Sequence, residues 1–166
     1  AEHLPFQENE FDYVYSWGVL HHTPGTKKAI SEILRVLKPG GRVGVMLYNR
    51  QSILYRFIVK WQEGFVNMEK NWLTDLQLAS RYSDGERKEG NPHTWPVTKK
   101  EIKADLFNDF CAINTKVLGT DVRNILNIWS ANLGTKLENS NILKEIADRW
   151  GWSLWTTAEK PNPFRR

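Results

Sequence analysis

An α/β fold built on a largely parallel sheet is predicted by three stretches near the start of the chain. Residues 11–17 (Phe-Asp-Tyr-Val-Tyr-Ser-Trp) alternate and then run apolar, as expected of a buried parallel strand. From Thr26 onward Ala29, Ile30, Ile33, Leu34 and Leu37 recur on one helical face, which is the signature of an amphipathic helix. Residues 42–48 (Arg-Val-Gly-Val-Met-Leu-Tyr) form a second apolar run. Strand, helix and strand in this order make a βαβ unit, whose crossover is expected to be right-handed.

The punctuation between these elements supports the reading. Thr23-Pro24-Gly25 ends the first strand. Lys38-Pro39-Gly40-Gly41 reads as a helix stop followed by a tight turn, since glycine adopts the positive φ that such turns need. Residues 51–80 carry a long, patchily apolar helical signal through Ile53, Leu54, Phe57, Ile58, Trp61, Trp72, Leu73, Leu76 and Leu78. Ser83 to Pro96, with Gly85, Gly90, Pro92 and Pro96, reads as a surface loop. Thr98 followed by Glu101 is a capping box. It opens a helix over 99–109 whose buried side is Ile102, Leu106, Phe107 and Phe110. Residues 112–118 alternate as a strand, 122–133 and 141–150 read as helices, Gly151 is a helix stop, 152–158 is a last strand and 161–166 is a tail. The chain therefore divides into core (1–50), a helical insertion with a loop (51–97) and the remainder of the core (98–166). No repeat or low-complexity tract interrupts it.

Composition narrows the function classes. The 166 residues suit one domain with a real core. Apolar residues at 40% and charged residues at 25% place the chain among globular proteins. The formal charge of +4 is spread along the chain without a basic block, so a nucleic-acid footprint is not expected. Eight tryptophans are expected mostly in the core, with a binding cleft as the other reading. Cys111 lies in an apolar run and reads as a buried, inert thiol. Being single, it forms no intrachain disulfide. No stretch is long and apolar enough for a membrane helix, and the expected setting is the cytoplasm.

Several motifs point further. Ala1-Glu2-His3-Leu4-Pro5-Phe6, then Ser16-Trp17-Gly18-Val19-Leu20-His21-His22 after the first strand, then Lys38-Pro39-Gly40-Gly41 before the second, stand at a spacing that closely resembles class I S-adenosyl-L-methionine-dependent methyltransferases. The likeness covers 1–50 strongly and 84–118 loosely. It implies a Rossmann-like sheet that ends in a hairpin, with one antiparallel strand in an otherwise parallel array. It also implies S-adenosyl-L-methionine as cofactor and methyl transfer to a small-molecule acceptor. Two segments would meet the cofactor. Ala1, Glu2 and Leu4 approach the adenine, where the family usually carries an Asp just ahead of the position of Ala1. Ser16, Trp17, Gly18 and Val19 approach the methionine part and the adenine face.

His21 and His22 are the candidate proton acceptors, because imidazole titrates near neutrality. The alternative, that both only cap the loop, stays open. Tyr48 ends the second strand near the same edge and joins them as a catalytic candidate, with a structural hydroxyl as its other role. A metal site from His21, His22 and His93 has no supporting carboxylates and is not expected. The aromatic helix over 53–80 reads as core, with a lid over the acceptor as the second reading. His93, Thr94 and Trp95 could face the acceptor. The family's Gly-rich turn and its ribose-binding acid are absent from the 166 residues. The sheet is therefore expected to lack its first strands, and the chain reads as a fragment of a longer methyltransferase, with a completing chain or a second copy as the other reading. A methyltransferase-like binding subunit without catalysis is the alternative function.

Overall fold

The computed structural model describes residues 1–83, 91–119, 122–130, 132–137 and 139–163. Residues 84–90 of the expected loop and 164–166 of the expected tail lie outside them. Strand β2 (Leu37–Tyr48) is the axis of a four-stranded sheet, flanked by β1 (Phe11–Trp17) and β4 (Ser153–Glu159), with β3 (Cys111–Leu118) outermost. β1 runs parallel to β2, whereas β4 is antiparallel to both of its neighbours. The last strand is thus wedged between the second and the third, and β3 points the same way as β1 and β2. This is the single antiparallel strand that the resemblance implied.

The period of two along each strand sorts the side chains between the faces. Val43, Val45 and Leu47 of β2, Leu154 and Ala158 of β4 and Val117 of β3 share one buried cluster with helix α1 (Thr26–Val36). Ala29, Ile30 and Ile33 are the buried positions that the periodicity assigned to α1, and Leu34 packs beside them. Helix α4 begins as an α-turn at Lys99–Glu101 and widens to π-type turns over Ile102–Leu106. Its Thr98–Glu101 capping box is formed as expected. Ile102 and Phe107 are fully buried, each contributing about 1.5–3 kcal/mol relative to exposure.

The opposite face is different. Tyr13, Tyr15 and Trp17 project from it in alternation and stay half exposed. Tyr15 and Trp17 stack at 6.4 Å between centroids, and both lie against Trp155 of β4. The expectation of a buried strand at 11–17 is therefore corrected. Among the described residues β1 is the last strand on its side and only one of its faces is covered, so its aromatic residues lie in the open.

Other aromatic expectations shift for the same reason. Helix α2 (Leu54–Val66) is wound with π-type turns and buries Tyr55 and Val59 against Trp152 and against Leu78 and Ala79 of α3 (Asp75–Tyr82). Phe57 and Trp61 face outward, and Trp72 is exposed as well. With Trp17, Trp95 and Trp150 also exposed, most of the tryptophans are not core residues. Cys111 is exposed too, its thiol donating to the Glu159 carbonyl at 3.3 Å, because it opens an outermost strand.

Boundaries also move. The residues 38–41 are not a separate turn; they kink the beginning of β2 at Gly40, whose φ is +79°. The helical run after β3 is split into α5 (Val122–Trp129) and α6 (Leu133–Lys136). Helix α7 (Asn141–Trp150) ends at Gly151, but not through a left-handed cap, since Gly151 has φ −63°. Gly151 is small because two backbones meet there. A Cβ would lie 2.4 Å from Gly119 Cα and 2.5 Å from the Leu118 carbonyl oxygen. Gly151→Ala is expected to destabilise the protein by about 2–3 kcal/mol in denaturant titration. Gly64→Ala, whose Cβ would meet nothing nearer than 3.4 Å, is expected to cost far less.

Candidate functional site

In open α/β sheets, ligands lie beyond the carboxyl ends of the parallel strands. Here that edge carries the ends of β1 and β2, the connection after β3 and the entry to β4. Gly18 leaves β1 at φ +71°, and a Cβ built on it would find only Met46 Cε, at 3.8 Å. The limit on this residue is therefore backbone conformation, which glycine meets without strain. Ser16 is half-buried there, and Trp17 and Val19 on either side of Gly18 are exposed.

A single 3₁₀ turn at Leu20–His22 then folds the two histidines under the edge. The His21 ring is fully buried and lies 3.7 Å from the Tyr48 ring and 4.2 Å from that of His22. Tyr48 in turn stacks on Trp152 at 4.3 Å. The result is a column of four rings across the ends of β1, β2 and β4. Burial, aided by repulsion from His22, pushes the His21 pKa down to about 3, and contact with the Met46 backbone offsets only part of this. Among the described residues, neither His21 ring nitrogen reaches a partner with hydrogen-bonding geometry. The ring is neutral at physiological pH and a very weak base. His22 is half-buried, and its Nδ1 lies 3.0 Å from the His93 carbonyl and 3.1 Å from Thr94 Oγ1.

The loop at 91–97 therefore docks on the histidine turn. The Trp95 amide donates to the His21 carbonyl, and the buried Thr94 donates its amide to Ser80 Oγ. The N-terminal segment reaches the same edge by one residue. Glu2 Oε1 accepts from Thr23 Oγ1 at 2.6 Å and from the Gly25 amide at 2.7 Å. These two bonds, led by Thr23, hold its carboxyl below the usual range. Ala1 is exposed. Leu4 packs against the main core, and its backbone is held by Glu32 and Arg35. Ser16–Val19, the histidine pair, Tyr48 and Glu2 are thus brought to one edge, while Leu4 turns inward.

Asn49 and Trp152 are the residues that sequence reasoning passed over. Asn49 is buried, donates Nδ2 to the Gly151 carbonyl at 2.8 Å and accepts the Gln51 amide on Oδ1 at 2.9 Å. It ties the end of β2 to the entry of β4. No local signal marks it, because its partner is distant in sequence.

Known proteins share this fold. Residues 1–45 match the family model described as a methyltransferase domain. A SAM-dependent methyltransferase of Thermotoga maritima superposes with a TM-score of 0.54 at 18% identity, over 96% of this chain and 60% of its own. Phosphoethanolamine N-methyltransferase 2 of Haemonchus contortus, solved with S-adenosyl-L-methionine, superposes with a TM-score of 0.51 at 20% identity, over 95% of this chain and 35% of its own. The fold is that of a class I methyltransferase domain. Among curated proteins, phosphoethanolamine N-methyltransferase 2 of Caenorhabditis elegans is 25% identical over 162 residues, 95% of this chain. Sterol 24-C-methyltransferase erg6 of Schizosaccharomyces pombe is 51% identical over 67 residues, 40% of this chain. The chain spans 34% of the length of the first and 18% of the second. Among the described residues, no helix of this methyltransferase fold is long and apolar enough to cross a membrane.

Asn49→Ala removes two hydrogen bonds and leaves the Gly151 carbonyl without its donor. A loss of about 2–3 kcal/mol is expected in denaturant unfolding, together with a red-shifted tryptophan emission as Trp152 leaves the column.

Proposed function

We propose that the chain serves S-adenosyl-L-methionine-dependent methyl transfer to a small-molecule acceptor at the carboxyl edge of β1 and β2. The observation that carries this reading is the open backbone turn at Gly18 leading directly into the buried histidine turn. Ser16, Gly18 and Val19 present backbone and small side chains, and Trp17 an aromatic surface, to one side of the cofactor. Glu2 holds the Ala1–Glu2 backbone beside them for the adenine. The fit is one-sided, since a Gly-rich turn and a ribose-binding acid are not among the 166 residues.

Bound S-adenosyl-L-methionine supplies a methyl group already activated on a sulfonium. What remains for the chain is to hold the acceptor in line, exclude water and take up a proton where the acceptor carries one. His22 is the group suited to that proton, because His93 and Thr94 fix its ring from the side of Nδ1. His21 is unsuited, its conjugate acid being too strong. It serves as the neutral wall that sets the rings of His22 and Tyr48.

Calorimetric titration of S-adenosylhomocysteine tests the reading. Micromolar binding is expected, near −8 kcal/mol. Val19→Arg, at an exposed position, is expected to weaken it by about tenfold or more with the melting temperature unchanged. Binding that Val19→Arg leaves intact, or no binding in either protein, contradicts it.

A further inference from the structure

Beyond the histidine turn, the same edge holds a cavity of about 440 Å³. Its walls are Ile53 and Phe57 on one side and Ile125, Leu126 and Trp150 on the other. These residues come from the segment after β2, the helix after β3 and the last residue before the turn into β4. All three connections belong to the carboxyl edge. The size falls within the range of small-molecule sites, and the lining is apolar as such sites require.

Two features give the cavity a chemical preference. Arg56 is its one charged lining residue, and among the described residues Arg56 makes no ion pair. The lining is apolar, so Arg56 lines it with its stem while the residue itself is exposed, and a solvent-facing cation beside an apolar cavity complements an anionic group on an apolar body. The cavity also adjoins the ring column. Gln51, which lines it, donates its amide to Asn49, and Asn49 holds Gly151 between Trp150 of the cavity and Trp152 of the column.

We propose that this cavity seats the apolar body of the acceptor, an amphiphilic small molecule whose carboxylate or phosphate pairs with Arg56. The proposal rests on the methyl-transfer reading for the word acceptor, and on the cavity alone for the ligand class. Decanoate and decyl phosphate, titrated below their micellar concentrations, test it, with decanol as the neutral control. Both anions are expected to bind, and the tighter of the two names the group that Arg56 prefers. Arg56→Gln, at an exposed position, is expected to weaken the anions about tenfold and leave decanol unchanged. Leu126→Trp, which fills the cavity, is expected to abolish all three. No binding of either anion, equal binding by Arg56→Gln, or binding that survives Leu126→Trp overturns the proposal. Anion binding without S-adenosylhomocysteine binding keeps the ligand site and removes the methyl-transfer reading. Cofactor binding without anion binding does the reverse.

Discussion

The antiparallel entry of β4 between β2 and β3 is the constraint on which the rest of the molecule depends. Its register sets Met46 opposite Trp155 and Tyr48 opposite Ser153. Two consequences follow from that alignment. On one face Leu154, Thr156 and Ala158 close the core over α1 and α4. At the carboxyl edge Trp152 arrives on Tyr48, and Tyr48 on His21. A slip by one residue would exchange the faces and dismantle both. Asn49 and Gly151 lock the register at its end, one by hydrogen bonds and the other by allowing two backbones to meet.

Local pattern made the early elements legible. The stripe of α1, the capping box at Thr98 and the apolar run of β2 are each encoded within a few residues, and the structure holds them, save that Leu37 leaves the helical stripe to open β2. Long-range partners were not legible. Nothing near Cys111 says that its strand is outermost, and nothing near Gly151 says that Gly119 and Leu118 press against it. The aromatic residues misled for a related reason. Tyr13, Tyr15 and Trp17 have the composition of a buried strand, but burial depends on how many layers cover a sheet, and only one face of β1 is covered. At the site, Ser16–Val19 came from the resemblance and the histidine pair from its place just after β1, whereas Asn49 and Trp152 needed the β2–β4 contact to be seen.

Two adjacent imidazoles at the edge sit in different surroundings. One is buried between rings and kept neutral; the other is half-buried and braced by the loop at 91–97. Environment alone thus sets neighbouring identical groups apart. The same loop packs on the histidine turn and on Ser80 of α3 at the carboxyl edge, and the proposed displacement needs such alignment and dryness more than a fixed catalytic triad.

The ring column gives this account its most direct test: NMR of the His21 imidazole between pH 4 and 8. Its depressed pKa means that the folded protein refuses a proton which the unfolded chain accepts below about pH 6.5. The predicted result is a neutral His21 ring throughout that range, with ring-current-shifted protons and nuclear Overhauser contacts to Tyr48. A His21 that titrates near its ordinary value and shows no contact with Tyr48 would contradict the register of β4 and the site built on it.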